Sequence, residues 1–306
     1  MSLWERVQGA LLGLAVGDAL GTTLEFSAPG TFEKITGIVG GGPFHLQAGE
    51  WTDDTSMALC LADSLISCEG FDPVDQMKRY SRWYKQGYLS SNGWCFDIGN
   101  ATRTSLELFQ KTNQPYAGSL SPSQAGNGSL MRLAPVPIYY HRDLQKTIEY
   151  SLHSSRTTHG TLACLDACRI FGFMIGKALQ GYTKNEVLDS LEPLQEYWQE
   201  NPLSRDIAKV YQGSYKSLQP PEIQGSGYVV KSLEAALWAF CQTDSFSEGA
   251  LLAVNLGDDA DTTGAIYGQI AGAHYGVAEI PQDWLEKIKY RDKILEFAEK
   301  LLELSE

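Results

Sequence analysis

Residues 9–21 read GALLGLAVGDALG, and residues 264–276 read GAIYGQIAGAHYG. In both stretches a glycine recurs at every fourth position, which places the glycines on one face of an α-helix. Glycine inside a helix costs about 1 kcal/mol relative to alanine, so four in a row need a compensating gain. A tight crossing with a neighbouring helix supplies one and accounts for the glycines by itself. A membrane-spanning dimer is disfavoured, because Asp18, Gln269 and His274 interrupt the apolar runs.

Other stretches also carry apolar residues at helical spacing. They lie around residues 57–66, 162–174 and 230–240. Alternating strand patterns are scarce, and the best of them, residues 37–44, contains three consecutive glycines that favour a loop. Loop-forming residues concentrate at 29–49, 113–128 and 219–227. None of these segments has the length of a flexible linker, so the sequence predicts an all-α, multi-helix fold in one domain covering residues 1–306.

Composition limits the classes of partner. With 37 acidic and 24 basic residues, the chain has a formal net charge of -13, which argues against a surface that neutralises the phosphates of DNA or RNA. The N-terminal apolar stretch follows Trp4, Glu5 and Arg6 and is interrupted by Asp18, which fits neither a signal peptide nor a membrane span. We therefore expect a cytoplasmic monomer with no nucleic-acid or membrane partner.

The cysteines show no CxxC pair and fall in apolar stretches, where a small thiol fits a protein core. They are Cys60, Cys68, Cys95, Cys164, Cys168 and Cys241. Cys164 and Cys168 stand at helical spacing, but no cluster of histidines accompanies them to suggest a metal site. We interpret all six as reduced core residues.

Two acid-rich clusters carry the first chemical signal. Residues 52–55 read TDDT just before a predicted helix, and residues 257–263 read GDDADTT at the start of the second glycine-striped helix. Taken alone, either cluster is explained by helix N-capping. Three carboxylates within four residues, however, repel one another unless cations neutralise them. Oxygen ligands of this kind suit Mg²⁺ or Mn²⁺, so we predict that the clusters meet at a shared site for two divalent cations.

Three other segments are candidates that also have ordinary structural explanations. Residues 126–128, Gly-Asn-Gly, can bring backbone amides close to a phosphate or form a plain Asn-Gly turn. His159 follows two threonines, and a lone histidine is more often structural than catalytic. Asp97 stands near a predicted helix start, where capping explains a carboxylate.

Six sequence motifs occur in order along the chain. They are Gly17-Asp18-Ala19-Leu20-Gly21 with Glu25-Phe26, Thr52-Asp53-Asp54-Thr55, Asp97-Ile98-Gly99-Asn100, Gly126-Asn127-Gly128 with Met131-Arg132, Thr158-His159, and Gly257-Asp258-Asp259-Ala260-Asp261-Thr262-Thr263-Gly264-Ala265. Together they closely resemble the ADP-ribosylglycohydrolase family, and within it the bacterial dinitrogenase-reductase-activating type. The resemblance extends from Gly9 to about Trp284. No single motif is decisive, but six in the correct order are highly specific.

The resemblance implies an all-α, orthogonally packed helical domain with a two-metal centre, Mg²⁺ or Mn²⁺, at the base of a cleft. It implies cleavage of the glycosidic bond between ADP-ribose and an acceptor. The implied metal ligands are Thr52, Asp53, Asp54, Asp259, Asp261 and Thr262. Glu25 and Asp97 would face the scissile ribose, with Glu25 the first choice for proton transfer. The implied substrate-binding residues are Gly126, Asn127, Gly128, His159 and, stacking on the adenine, Tyr228.

Some alternatives stay open. Family members often have glycine where Asp258 stands, so the role of this carboxylate is undefined. The order Asp259-Ala260-Asp261-Thr262 also mimics the nucleophile motif of haloacid-dehalogenase-like phosphatases, but that motif follows a strand in an α/β domain. A relative that binds ADP-ribose without cleaving it is the more serious alternative. The partner would be an ADP-ribosylated protein or small molecule, and the sequence does not specify the acceptor.

Overall fold

The computed structural model describes residues 1–305, and their regular secondary structure is helical. The α-helices, numbered in chain order, are α1 Leu3–Gly21, α2 Asp53–Cys68, α3 Pro73–Gln86, α4 Asn100–Thr112, α5 Pro135–Tyr139, α6 Leu144–Arg156, α7 Leu162–Leu179, α8 Lys184–Asp189, α9 Gln195–Glu200, α10 Arg205–Tyr211, α11 Val229–Gln242, α12 Phe246–Val254, α13 Ala260–Tyr275, α14 Gln282–Lys287 and α15 Arg291–Glu303. Between residues 1 and 305 there is no β-strand, only three isolated bridges. The all-α, single-domain prediction is confirmed, and the phosphatase alternative, which requires a sheet, is excluded.

Helices α1 and α13 cross along their glycine stripes. A Cβ atom added to Gly9 would lie 2.2 Å from the carbonyl oxygen of Gly272, and one added to Gly21 would lie 2.2 Å from that of Ala260. The two helices therefore run antiparallel, and their backbones touch with no space for a side chain between them. This is the tight helix crossing that the spacing of the glycines predicts.

The apolar character of α1 follows from its position in the core. By length and composition the segment Leu3–Leu24 could cross a membrane, but 89% of its apolar window is buried inside the protein. Every residue from Gly9 to Gly21 is buried. Packing in the core therefore accounts for the composition of this helix.

The antiparallel crossing places the last turn of α1 beside the first turn of α13. Asp18 lies in that last turn and Asp261 in that first turn. Helix α2 begins at the same point, because the hydroxyl of Thr52, its N-cap residue, lies 3.0 Å from Asp18 Oδ1 and 3.2 Å from Asp261 Oδ2. Three helix ends thus converge on one buried position.

The sequence patterns located several of the surrounding elements. The predicted stretches around residues 57–66, 162–174 and 230–240 lie in α2, α7 and α11, and the loop-rich segments contain no α-helix. All six cysteines are free, but the prediction that they are core residues is wrong for Cys68. Cys68 is exposed because it lies at the end of α2, beyond the last buried turn, and Cys95 and Cys241 are only half-buried.

We predict that Gly268→Ala destabilises the protein, although alanine is the better helix former. The new Cβ would lie 1.9 Å from the carbonyl oxygen of Gly13, and backbone atoms move less readily than side chains. The overpacking should lower the free energy of unfolding by about 3 kcal/mol, measured by denaturant unfolding. Gly99→Ala is the matched control, because its Cβ would meet no atom within 4 Å. Equal stability of the two variants would contradict the tight crossing.

Candidate functional site

A cleft of about 410 Å³ opens above the converging helix ends. Nine of the residues singled out in the sequence line it: Glu25, Asp53, Asp97, Gly126, Asn127, Gly128, His159, Asp259 and Thr262. Thr52, Asp54 and Asp261 are buried and joined to this group by hydrogen bonds and close carboxylate contacts. The two acid-rich clusters, 209 residues apart from Thr52 to Asp261, therefore do meet in space.

The hydrogen bonds of the two acid-rich clusters show that helix N-capping explains neither of them. Thr52 and Asp259 occupy the N-cap positions of α2 and α13, yet neither side chain makes a capping hydrogen bond. The Thr52 hydroxyl instead contacts the carboxylates of Asp18 and Asp261. The Asp259 carboxylate accepts a hydrogen bond from Asn127 Nδ2 at 2.6 Å. The Thr52 side chain is therefore directed at the second cluster, and the Asp259 side chain at the Gly126–Gly128 loop.

Asp18 organises the start of α2. Its two carboxylate oxygens accept hydrogen bonds from the backbone N–H groups of Thr52 and Thr55, at 2.9 and 3.0 Å. The hydroxyl of Thr55 donates a further bond at 2.6 Å. Asp18 belongs to one of the six sequence motifs, but the sequence alone gave it no role. A carboxylate within an otherwise apolar core helix was the signal that it has one, because a buried charge requires partners.

Two groups of carboxylates share Asp261. One oxygen from each of Asp18, Asp54 and Asp261 lies within 4.8 Å of the others, and the same holds for Glu25, Asp97 and Asp261. Asp54 Oδ2 is buried and has no hydrogen-bond partner in the described part of the chain. An unpartnered, buried carboxylate oxygen is costly to maintain. Both groups present the hard oxygen donors that divalent cations such as Mg²⁺ and Mn²⁺ prefer.

The carboxylates of this cluster are buried and repel one another, so their charged forms are disfavoured. Burial, followed by the negative charge of Asp261, raises the pKa of Asp18 to about 7 and that of Asp259 to about 7. The same two causes raise the pKa values of Asp53 and Asp54 well above their ordinary range. No lysine or arginine among residues 1–305 forms an ion pair with any of these carboxylates. The protein itself therefore leaves the acidic cluster without a counter-charge.

Glu25 and Asp97 enter the cleft on separate loops. Glu25 follows the 3₁₀ turn after α1 and is 5% exposed, and its Oε2 accepts a 3.5 Å hydrogen bond from the N–H of Asp261. Asp97 is half-buried and adopts a left-handed backbone with φ of 57°, a conformation that costs energy for a residue other than glycine. Burial is the main cause that raises the pKa of Asp97 to about 11, and it also raises the pKa of Glu25 above its ordinary value. Helix capping does not explain Asp97, because Gly99 is the N-cap residue of α4.

The Gly126–Gly128 loop forms one wall of the cleft. Asn127 was predicted to contact the substrate, but its side-chain nitrogen is engaged by Asp259 and by Ser232 Oγ, at 2.6 and 2.8 Å. It therefore holds a carboxylate in place, and Ser232, which the sequence did not reveal, orients it. The N–H groups of Gly128 and Ser129 donate no hydrogen bond to any residue between 1 and 305.

The remaining candidates lie at different depths. His159 is buried, and its ring nitrogen Nε2 would lie 3.2 Å from a Cβ atom at Gly128. Tyr228 is 43% exposed and lines a neighbouring depression that shares Gly126 and Gly227 with the cleft. Tyr228 is thus near the cleft but separate from the acidic cluster.

Asp258 has a conformational explanation. Its backbone is left-handed, with φ of 58°, and its side chain is exposed and makes no hydrogen bond within the described chain. The same residue exchanges backbone hydrogen bonds of 2.7 and 2.8 Å with Phe26 and Ser27. A left-handed position is one that glycine fills without strain. The backbone of Asp258 therefore anchors the loop that carries Glu25, whatever the role of its carboxylate.

This chain is similar to known proteins in both sequence and structure. The family model described as ADP-ribosylglycohydrolase matches residues 1–306. The chain belongs to the ADP-ribosylglycohydrolase family. A solved structure described as an ADP-ribosylglycohydrolase-related protein complex superposes with a TM-score of 0.87 at 42% sequence identity, covering 100% of this chain and 99% of that one.

Two curated relatives are similar to this chain over most of its length. The ADP-ribosylarginine hydrolase Tri1 of Serratia proteamaculans is 43% identical over 97% of this chain and 79% of its own length. The ADP-ribosyl-[dinitrogen reductase] glycohydrolase of Rhodospirillum rubrum is 33% identical over 94% of this chain and 91% of its own length. The family and these relatives are ADP-ribosyl hydrolases, so the chain is a member of a family of enzymes that hydrolyse bonds to ADP-ribose.

We predict that Asp18→Asn weakens both the fold and cation binding. The substitution replaces one carboxylate oxygen, an acceptor, with an NH₂ group, a donor. That donor would face N–H or O–H groups that donate to Asp18 in the native protein. The unfolding free energy measured in EDTA should fall by about 1–3 kcal/mol, and elemental analysis of the protein loaded with Mn²⁺ should show less bound metal. Asp258→Asn is the matched control, because that side chain is exposed and makes no hydrogen bond. Unchanged stability and metal content in Asp18→Asn would refute this role.

Proposed function

We propose that this protein hydrolyses the glycosidic bond between ADP-ribose and an arginine side chain, using a centre of two divalent cations, Mg²⁺ or Mn²⁺. The observation that carries the proposal is the pair of carboxylate groups that share Asp261 beneath the cleft. Two overlapping groups of oxygen ligands suit two neighbouring cations better than one.

The residues present fit such a centre. Asp54 offers a buried carboxylate oxygen that no protein group satisfies, and Asp261 belongs to both groups. Thr52, Asp53, Asp259 and Thr262 would complete the ligands, and Asp18 joins them as a carboxylate that also holds Thr52 in position. At these residues, divalent cations would supply positive charge and Lewis-acid chemistry.

The cleft wall provides a complementary site for the diphosphate of ADP-ribose. The N–H groups of Gly128 and Ser129 are adjacent in sequence and donate no hydrogen bond to any residue from 1 to 305. Successive free amides of this kind form concave sites for anions. The absence of side-chain bulk at Gly126 and Gly128 lets a ligand approach the backbone closely, and Tyr228 lies beyond Gly126, where a base could stack on its ring.

Glycosidic cleavage requires stabilisation of positive charge on the ribose and transfer of a proton. We assign proton transfer to Glu25, because its carboxyl group is buried more deeply than that of Asp97 and sits beside Asp261. Asp97 lies beside Glu25, with a carboxylate oxygen within 4.8 Å, and is the second carboxyl group assigned to the ribose. The strained backbone of Asp97 is consistent with a position held for function.

The choice of arginine as acceptor is supported by the relatives. The Serratia proteamaculans relative, 43% identical, is described as an ADP-ribosylarginine hydrolase, and a second relative of the same description from Pseudomonas putida is 44% identical over 98% of this chain. Both cover nearly the whole chain, including the loops around the cleft. A guanidinium acceptor also suits a cleft lined by carboxylates, because opposite charges attract.

The first test is release of ADP-ribose from a peptide that is ADP-ribosylated on arginine. We expect activity with Mg²⁺ or Mn²⁺, loss of activity in EDTA, and recovery when the cation is restored. Full activity after complete chelation would contradict the two-metal proposal. Binding of ADP-ribose without release from this peptide, or from peptides modified on serine, would favour the non-catalytic alternative.

We also predict that Glu25→Gln lowers kcat at least about 100-fold, because a residue that transfers a proton contributes a factor of this size or more. Affinity for ADP-ribose, measured by calorimetry, should stay within about threefold. Glu33→Gln is the matched control, since Glu33 is exposed and should be silent. Retention of normal kcat by Glu25→Gln would move the proton transfer to another group.

A further inference from the structure

A buried arginine behind the cleft has no role in the site described so far. Arg132 is 0% exposed, and its guanidinium forms no ion pair with a carboxylate among residues 1–305. Its Nε has no hydrogen-bond partner within the same range, and its carbon Cζ lies 4.5 Å from the ring centroid of Tyr80. A permanently charged guanidinium in such a position is costly, so what it contacts is informative.

The principal hydrogen bond of Arg132 goes to Thr158. Arg132 Nη2 donates to Thr158 Oγ1 at 2.6 Å, whereas its contacts with Thr157 Oγ1 and the sulfur of Met57 are longer, at 3.5 and 3.7 Å. Thr158 Oγ1 lies 2.8 Å from His159 Nδ1. The guanidinium, the hydroxyl and the imidazole therefore form a chain that ends at the cleft wall.

The donor and acceptor inventory of these groups determines the direction of the chain. Arginine has only donors, so Thr158 Oγ1 is an acceptor towards Arg132. The threonine hydroxyl has one hydrogen, and His159 Nδ1 is the other partner that the structure gives it. If Nδ1 carried a proton, two donors would meet at the oxygen and the hydroxyl hydrogen would have no acceptor. The consistent arrangement has the hydroxyl donating to an unprotonated Nδ1, with the imidazole proton on Nε2.

We propose that Arg132 is a positioning residue that acts through Thr158 to fix His159 as the tautomer protonated at Nε2, which presents an N–H donor to the bound ADP-ribose. The proposal rests on the proposed function only for the identity of the ligand. The tautomer itself is a property of the protein alone.

The position of His159 Nε2 indicates what its N–H group would contact. This atom makes no hydrogen bond within the described chain, and His159 lines the cleft beside Gly126 and Gly128. It lies beside Gly128, whose N–H group donates no hydrogen bond to any residue between 1 and 305, and both donors suit a phosphoryl oxygen of ADP-ribose. Burial and the nearby charge of Arg132 also lower the pKa of His159 to about 3, so the donor is a neutral imidazole at physiological pH.

Nuclear magnetic resonance with ¹⁵N-labelled histidine tests the tautomer directly. Long-range ¹H–¹⁵N spectra distinguish protonated from unprotonated ring nitrogens. The sample is the full chain with Mg²⁺, which is diamagnetic. His159→Gln assigns its signal among the five histidines. We expect His159 in the native protein to be protonated at Nε2 alone, and Thr158→Val, which removes the hydroxyl, to give a mixture of tautomers. Thr158→Ser keeps the hydroxyl and should restore the native pattern.

Binding and turnover provide the functional readout. We expect Thr158→Val to weaken ADP-ribose binding about tenfold in calorimetry, the size of one lost hydrogen bond, and to raise KM with kcat nearly unchanged. Thr157→Val is the matched control, because that hydroxyl contacts Arg132 but not His159, and it should keep the native tautomer. Arg132→Met should mix the tautomers like Thr158→Val. If Arg132→Met fails to fold, the threonine variants carry the test.

Three results would overturn the proposal: a native His159 protonated at Nδ1, a folded Arg132→Met variant that keeps the Nε2 tautomer, or a Thr158→Val variant that keeps the Nε2 tautomer and native ADP-ribose affinity. Failure of the proposed function looks different. In that case the spectra follow the expected pattern, but the protein neither binds ADP-ribose nor releases it from the arginine peptide.

Discussion

Direct backbone contact between α1 and α13 is the constraint on which the site depends. The glycine stripes allow the two helices to approach until carbonyl oxygens occupy the space of side chains. Because the pairing is antiparallel, it delivers the last turn of α1 and the first turn of α13 to the same point. Asp18 and Asp261 meet there, and the start of α2 is attached to them through Thr52. The close packing of α1 against α13 therefore brings negatively charged side chains together.

That concentration gives the cleft its chemistry. Carboxylates from helix ends and two loops are gathered without a basic partner, and burial together with mutual repulsion raises their pKa values. A fold can tolerate such a cluster when cations supply the opposite charge. The buried guanidinium of Arg132 lies behind the cleft and faces Thr158 and His159 rather than the carboxylates. Under the proposed function, the two systems would contact different parts of ADP-ribose.

Helical spacing and glycine periodicity were enough to predict an all-α fold with a tight crossing, since both are local properties of the chain. The pairing of residues 52–55 with 257–263 was predicted from charge repulsion, and the structure brings them together. Asp18 was not assigned, because a motif shows which residue is present but not which amides it will meet. Asn127 and Arg132 illustrate the same limit. Their hydrogen bonds to Asp259 and Thr158 join segments 132 and 26 residues apart, and only the tertiary fold determines them.

The most direct test of this account is the stability of the metal-free protein as a function of pH, with and without Mn²⁺. The folded-state pKa values of Asp18 and Asp259, about 7, lie above the ordinary value of 3.8. A carboxyl group with a raised pKa in the folded state contributes full stability below its unfolded pKa and loses it as pH rises through the folded value. The unfolding free energy in EDTA should therefore fall between pH 4 and about pH 7, and Mn²⁺ should reverse the loss. A stability that rises with pH across this window, or that does not respond to Mn²⁺, would contradict a charge cluster completed by cations.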